Sequence, residues 1–356
     1  MTQMRRVLVV FGVLAVASMP APTHAWGFEA HKFIMERAIG LLPAEIRPFF
    51  EQYKSTLVER AIDPDTWQVA GFNNQEDPNH FLDLDWEGYG KYPFSGLPRD
   101  YTAAVAKFGK KRIDENGTVP WRVEEMYGSL RRAFESYERR GPFGRNDVIF
   151  FSAWLTHYVS DAHVPFHAVL NYDGQLTGQH GIHSRFEAYL FERYRDQWTI
   201  APKPVAPITN PRDYIFDVVL QGTQLVPPIL RADLDAIGGR DEYDDAYYAA
   251  FFKANRAVVE RRLNESIAAS AAMIPARGKQ RGSRLCRSMR DRQRSAGGGE
   301  RPPEGGHLLF SWTWAAAFLT ESPSWRPPRP SPLPSATIAA PTRTRVRGCR
   351  GQRGSR

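Results

Sequence analysis

The chain has 356 residues and a formal net charge of +8, with 42% hydrophobic and 24% charged residues. This composition is that of a globular protein and excludes a chain that is disordered throughout. Its two cysteines, Cys286 and Cys349, both lie towards the C-terminus, which excludes a disulfide framework in the rest of the chain. In an exported protein, a metal cluster is a usual substitute for disulfides.

The first residues predict export. Arg5 and Arg6 precede an apolar run, residues 7–17, that is too short to be an ordinary transmembrane helix. Small residues follow at the positions that signal peptidase reads. We therefore expect residues 1–25 to be a signal peptide of a periplasmic or secreted protein, with Trp26 as the first mature residue. An uncleaved membrane anchor is the alternative.

The net charge is unevenly distributed along the chain. Residues 277–356 hold 17 Lys and Arg against 4 Asp and Glu. Once these and the two arginines of the signal peptide are set aside, residues 26–276 carry a formal charge of −7. An acidic body gives no indication of a basic surface for nucleic acid, which makes nucleic acid the less favoured partner.

Helical periodicity dominates the chain from Trp26 to about Met273. Apolar residues recur at helical spacing in five stretches, whereas strand-like alternation is scarce. These stretches are Ala30–Leu42, Leu130–Tyr137, Val148–Val159, Ile182–Tyr194 and Tyr247–Ala272. Clusters of Gly and Pro at 89–98 and 202–211 predict loops. The sequence therefore predicts an all-α fold, a single multi-helix domain over residues 26–275.

The composition changes after about Pro275. Residues 276–356 are rich in Arg, Pro and Gly, and such a segment cannot bury enough apolar surface to offset its ordering entropy. Three interpretations stay open: a basic tail that binds an anionic membrane or nucleic acid, a disordered tail, and translation of a GC-rich gene in the wrong frame. We favour the last and assign this tail no function.

Two residue pairs have the spacing of metal ligands on a helix. His157 and Asp161 are four residues apart, as are His183 and Glu187, so each pair projects from one helical face. His167 lies between the two pairs. A single pair of this kind is more often a surface salt bridge. Two pairs with a further histidine between them favour a metal site.

Three further potential metal ligands lie upstream in the sequence. His31 opens the first predicted helix, and Asp63 and His80 follow it. All of these ligands offer nitrogen or oxygen, which suits zinc. We interpret the neighbouring Asp65 as a helix cap rather than as a ligand.

The complete set resembles the bacterial zinc-dependent phospholipase C family, which shares its fold with the zinc-dependent single-strand nucleases of fungi and plants. That family has an N-terminal Trp followed by His, Asp, His, His-x3-Asp-x5-His and His-x3-Glu or His-x3-Asp. The chain carries the matching segments AHKFIMERAIGLL, RAID, NHF, HYVSDAHVPFH and HSRFEAYL in this order. The resemblance covers Trp26 to Tyr194.

The resemblance implies a trinuclear zinc cluster at the centre of the helical domain. The first zinc ion would be held by Asp63, His80, His157 and Asp161. The second would be held by the α-amino and carbonyl groups of Trp26, by His31 and by a bridging Asp161. The third would be held by His167, His183 and Glu187. Signal-peptide cleavage would then be needed to free the amine of Trp26.

The reaction implied by the resemblance is hydrolysis of a phosphodiester by a metal-activated water. Zinc lowers the pKa of a water ligand from about 16 to about 7, and further cations neutralise the phosphate oxygens. Asp63 would orient or deprotonate the attacking water as the catalytic residue.

The substrate is less clearly indicated. Glu187 ends the last motif where the nucleases usually have Asp, and the short interval between His167 and His183 lacks their Gly-Gly-Asn segment. The compact spacing from Trp26 to His31 instead resembles the nucleases. We expect an exported phosphodiesterase that hydrolyses phospholipid head groups at a transiently contacted membrane surface. A single-strand nuclease and a non-catalytic zinc-binding protein are the alternatives.

Overall fold

A computed structural model describes residues 27–274 of the chain. The expected signal peptide, Trp26 and the tail of residues 276–356 lie outside the described residues. Within residues 27–274 every regular element is a helix, which confirms the predicted all-α fold.

Short connections join most consecutive helices, and longer ones precede Tyr101, Ile182 and Pro211. The α-helices are α1 (Phe28–Leu41), α2 (Arg47–Gln52), α3 (Lys54–Arg60), α4 (Asp63–Trp67), α5 (Asn73–Glu76), α6 (Tyr101–Phe108), α7 (Lys110–Asn116), α8 (Val119–Glu138), α9 (Gly144–Ala162), α10 (Ile182–Ser184), α11 (Leu190–Arg193), α12 (Pro211–Ile237) and α13 (Asp245–Met273). Single 3-10 turns occupy Asp77–Asn79, Glu87–Tyr89, Pro165–Ala168 and Arg195–Gln197, and π-helical turns occupy Gln68–Phe72 and Arg185–Tyr189.

The centre of the domain is α9. Every residue from Ser152 to Ala162 is buried, and α1, α3, α8 and α13 all pack against this helix. A helix that is buried on all sides is normally apolar, because a polar group removed from water must find a partner inside the protein. The polar residues in the last turns of α9 therefore need partners on the surrounding helices.

Two long helices, α12 and α13, close the other side of the domain. Each begins with a side-chain cap: Asn210 accepts a hydrogen bond from the backbone N–H of Asp213 (3.3 Å), and Asp244 accepts one from that of Tyr247 (2.7 Å). α12 packs closely against the 3-10 turn Pro165–Ala168, and α13 packs against α1 and α12. α12 thus contacts the segment that follows α9, and α13 links α12 to α1.

The five predicted helical stretches lie in α1, α8, α9, the segment Ile182–Arg193 and α13, so these predictions are confirmed. The predicted loops 89–98 and 202–211 contain no helix except at Tyr89, which ends a 3-10 turn, and at Pro211, which begins α12. The sequence pattern did not single out α12, which continues through Pro227 and Pro228. None of the helices in residues 27–274 combines the length and the apolar character needed to span a bilayer.

Candidate metal centre

His157 and Asp161 lie side by side in the last turns of α9, fully buried. Their closest atoms, His157 Nε2 and Asp161 Oδ2, are 3.2 Å apart. His80, from the segment after α5, brings its Nδ1 to 2.9 Å from the same carboxylate oxygen. These three side chains form the first of three groups in which the ligand atoms are close enough to share one metal ion.

His31 lies next to the other carboxylate oxygen of Asp161. Its Nε2 lies 3.3 Å from Asp161 Oδ1, and its ring stacks on that of His157 with the centroids 4.0 Å apart. The two oxygens of Asp161 therefore face different histidines. A carboxylate placed in this way could bridge two cations, as predicted for Asp161.

Asp65 occupies the place in the centre that the sequence analysis assigned to Asp63. It is completely buried, with Oδ1 3.6 Å from His157 Nε2 and Oδ2 3.8 Å from His31 Nε2. Asp63 instead accepts a hydrogen bond from Arg60 (2.8 Å), and its side chain is partly exposed. Residues two apart on a helix project about 200° from each other, so only one of the two can face α9.

Asp65 does not cap a helix, contrary to our interpretation of the sequence. The residue at the N-cap of α4 is Ile62, and no side chain caps that helix. Instead, Asp65 forms the second group of potential metal ligands together with His31 and His157.

The third group contains His167, His183 and Glu187, as predicted. His183 Nε2 lies 3.0 Å from Glu187 Oε2, and His167 Nε2 lies 3.8 Å from the same oxygen. His167 comes from the 3-10 turn after α9, whereas the other two come from the turns that follow Gly181. Two separate segments are thus brought together at this group.

Hydrogen bonds to Nδ1 orient three of the ligand histidines. His157 Nδ1 donates to the carbonyl oxygen of Ala61 (2.8 Å), and His167 Nδ1 donates to that of His80 (2.6 Å). His31 Nδ1 donates to Ser160 Oγ (2.8 Å), which itself donates to the carbonyl of His157. In each histidine the lone pair is left on Nε2, which points into the centre. This arrangement is typical of metal-binding histidines.

The centre leaves many buried polar atoms without a hydrogen-bond partner among residues 27–274. They are Asp65 Oδ1 and Oδ2, Asp161 Oδ1, Glu187 Oε1 and Oε2, His80 Nε2, His167 Nε2, and both ring nitrogens of His183. A buried polar atom without a partner costs about 1–3 kcal/mol, and more when it is charged. This concentration of acceptors fits cations, so these groups could hold metal ions.

The protonation states also suit metal binding. Burial lowers the pKa of His167 and the pKa of His183 to about 4, so both imidazoles are neutral at pH 7. Neutral imidazole is the form that binds metal. Burial raises the pKa of Asp65 to about 7 and that of Glu187 well above its usual value. A cation beside these two carboxylates would favour their charged forms.

A cavity of about 240 Å³ adjoins the centre and gives access to it. His80, His167 and His183 form its inner wall. The other lining residues are Gln68, Asp77, Phe81, Asp83, Glu115, Phe166 and Tyr172. A larger cleft of about 600 Å³ beside Tyr101 and Trp121 contains none of the predicted ligands. The smaller cavity is therefore the candidate substrate site.

The amine of Trp26 was predicted as a ligand, and Trp26 lies outside the described residues. The first described residue is Gly27, which packs against Ala188: a Cβ added to Gly27 would lie 2.9 Å from the Cβ of Ala188. Ala188 directly follows Glu187. The described part of the chain thus begins next to the turn that carries a ligand of the third group.

Sequence reasoning missed a buried network behind the centre. Tyr158 donates its phenol hydrogen to Glu76 and accepts a hydrogen bond from Arg122 (3.2 Å). Its ring lies edge-on to those of His157 and His80, at centroid distances of 5.3 and 5.5 Å. The three network residues are far apart in the chain, so no local spacing in the sequence could have indicated them.

Comparison with known proteins adds no family assignment: neither a scan against models of protein families nor a search of curated proteins found a match.

Proposed function

We propose that this protein is an exported, zinc-dependent phosphodiesterase of the phospholipase C type. The observation that carries the proposal is the position of Asp161, whose two oxygens face different histidines within one buried set of nitrogen and oxygen ligands. Nitrogen and oxygen ligands suit zinc. The resemblance of the sequence motifs to the zinc-dependent phospholipases and nucleases gives the same assignment independently of the geometry.

The ligand groups divide among three metal positions. Asp161 would serve two of them, together with His31, His80, His157 and Asp65. The third would be held by His167, His183 and Glu187. When bound, zinc would act as a Lewis acid that activates water and neutralises the charge of the phosphate oxygens.

The residues of the chain have separate tasks in the proposed reaction. Bonds from Nδ1 to neighbouring oxygens would hold His31, His157 and His167 in place. Asp65 has two oxygens free of hydrogen bonds, so it can accept the proton of the attacking water in the catalytic role first assigned to Asp63. The neighbouring cavity would position the phosphodiester beside His167 and His183.

The charge of the cavity wall favours a lipid over a nucleic acid. Asp77, Asp83 and Glu115 line it, and residues 26–276 carry a formal charge of −7. Binding of nucleic acid normally relies on Lys and Arg contacts to phosphates, and the cavity lining contains neither. Tyr172, on the rim, is about half exposed and would contact the membrane surface transiently.

The test uses protein processed to begin at Trp26. Its zinc content is measured by mass spectrometry, and hydrolysis of phosphatidylcholine and of single-stranded DNA is assayed on the same sample. We expect about three zinc ions and lipid cleavage. In the variant Asp161→Ala we expect the loss of two ions and of nearly all activity, whereas Asp217→Ala, at an exposed position on α12, should behave as wild type.

The other outcomes decide between the alternatives. Cleavage of DNA without cleavage of lipid would show that the protein is a nuclease instead. Zinc without either activity would favour a non-catalytic zinc-binding protein. A protein without zinc would contradict the proposal altogether.

A further inference from the structure

His183 differs from the other histidines of the centre in how it is held. Among residues 27–274, neither of its ring nitrogens has a hydrogen-bond partner, since its 3.0 Å approach to Glu187 lies outside hydrogen-bond geometry. His31, His157 and His167 are each oriented by a bond to Nδ1. The position of His183 therefore depends on the backbone that carries it and on the contacts of its ring with Phe166 and His167.

That backbone is anchored through Arg185, which lies between the ligands His183 and Glu187. Arg185 is 4% exposed, and its guanidinium donates to the carbonyl oxygens of His180 (2.7 Å) and Gln179 (3.2 Å). These bonds tie the guanidinium to the loop that leads into the turn of His183. The guanidinium therefore restrains the backbone conformation of this loop.

The same guanidinium joins the turn to the two long helices. Arg185 donates to Asp233 on α12 (3.1 Å) and to the phenol oxygen of Tyr247 on α13 (3.1 Å). Asp233 is 1% exposed and also accepts hydrogen bonds from Tyr247 and from Gln179 (2.7 Å). The bonds from Arg185 to Asp233 and Tyr247, and the bond from Gln179 to Asp233, join the ligand-bearing segment to the helices α12 and α13.

A gain in folding stability does not by itself explain the buried pair of Arg185 and Asp233. Desolvation of two buried charges offsets most of their attraction, and apolar residues of similar volume are often as stabilising. A buried ion pair does impose one geometry on the segments that it joins. Here the segment carries two ligands of one metal position.

We infer that Arg185 and Asp233 are positioning residues that set the zinc affinity of the third metal group, separately from the other two. This inference rests on the proposed zinc centre. Partners that orient metal ligands typically change metal affinity by about 10- to 100-fold when they are removed. The effect should be confined to the ion held by His167, His183 and Glu187.

The test measures release of zinc from the full mature chain at increasing concentrations of a chelator. The double variant Arg185→Met with Asp233→Leu removes the pair without leaving a buried charge unpaired. One zinc ion should be released at a free chelator concentration about 10- to 100-fold lower than in wild type. The other two ions should be released at the same concentration as in wild type. Substitution of zinc by cobalt should show a changed absorption spectrum for one ion only.

Two further variants separate positioning from general loss of stability. Ile229→Ala removes a buried side chain one turn before Asp233 on α12, so it should lower the melting temperature but leave all three zinc affinities unchanged. Tyr247→Phe removes only one hydroxyl from the cluster. Tyr247→Phe should lower the affinity for the same single zinc ion by a smaller factor than the double variant does. It provides the test if the double variant does not fold.

The outcomes are distinct. Equal affinities in the wild type and in the Arg185 and Tyr247 variants would overturn this inference and leave the proposed function in place. A parallel loss of all three ions in these variants would also overturn it, because the pair would then support the whole fold. Wild-type protein that binds no zinc would overturn the proposed function and this inference together.

Discussion

Asp65 is a carboxylate of the candidate centre without hydrogen bonds of its own among residues 27–274. Both of its oxygens lack a hydrogen-bond partner among the described residues, although nitrogens of His31, His80 and His157 lie within 3.8 Å of them. Burial raises the pKa of this group to about 7. A group with this pKa is only about half ionised at pH 7, and a nearby cation would keep it ionised over the neutral pH range.

We therefore expect Asp65→Ala to lose at least one zinc ion and most phosphodiesterase activity. Asp63→Ala is the matched control, two residues earlier on the same helix. Its side chain is partly exposed and pairs with Arg60, so its removal should cost no more than about 1 kcal/mol and leave the zinc content unchanged. Zinc content by mass spectrometry checks both variants, and a loss of zinc in Asp63→Ala instead would restore the original assignment.

A second residue-scale prediction concerns Asp83 on the cavity wall. Burial, reinforced by Asp85, raises the pKa of Asp83 from 3.8 to about 8. The folded state thus holds this proton more tightly than the unfolded chain, so its contribution to stability falls as pH rises from about 4 to about 8. Asp83→Asn cannot ionise, and its stability relative to wild type should increase across that window.

Urea denaturation at saturating zinc between pH 4.5 and 8 measures this difference for Asp83 as a function of pH. Asp217→Asn, at an exposed position, is the control that should show little change. A constant difference between Asp83→Asn and wild type over the whole range would contradict the prediction.

The choice between Asp63 and Asp65 shows what the sequence could resolve at the scale of single residues. The pairs His157–Asp161 and His183–Glu187 were predictable because helical periodicity alone fixes their common face. The two aspartates flank Pro64 at the start of a short helix. Which of them faces inward depends on how α4 docks against α9, and local spacing contains no information about that docking.

At the scale of elements, the first turn of α1 is constrained by the segment that carries Glu187. A Cβ on Gly27 would lie 2.9 Å from the Cβ of Ala188, closer than side-chain carbons normally approach. Only a glycine lets these two segments pack this closely. A larger residue must push the start of α1 and the turn of Glu187 apart.

We expect Gly27→Val to weaken zinc binding by about tenfold, as other changes that displace metal ligands do. The matched control is Gly40→Ala near the end of the same helix. No atom lies within 4 Å of an added Cβ there, so it should leave zinc affinity unchanged and gain up to about 1 kcal/mol in stability. Chelator competition measures both variants, and equal zinc affinities in the two would contradict the prediction.

Elements with strong periodicity were predictable from the sequence, whereas α12 was not. Its two adjacent prolines, Pro227 and Pro228, lack backbone donors and locally disfavour a helix. The helix nevertheless continues because it is packed along its length, with Gly222 next to Ala168 and Asp233 paired with Arg185. Tertiary contacts of this kind override local propensity and are not visible in a single sequence.

At the scale of the whole molecule, the centre joins most of the chain. Its potential ligands come from α1, α4, the segment after α5, α9, the 3-10 turn that follows α9, and the turns around α10. If cations are bound there as proposed, their removal would leave several carboxylates buried together in the interior. Local unfolding around these carboxylates would let water reach them at the lowest cost in free energy.

We therefore expect strong chelators to lower the melting temperature substantially. A single zinc site that is saturated a hundredfold above its dissociation constant contributes about 2.7 kcal/mol, and three such sites contribute about 8 kcal/mol. For a domain of this size each kcal/mol corresponds to about 2–4 °C, so the decrease should exceed about 15 °C. Added zinc should restore the melting temperature, and a chelator already saturated with zinc should have no effect. A melting temperature unchanged by an excess of free chelator would mean that the fold does not depend on bound metal, and the buried carboxylates would then have to be protonated instead.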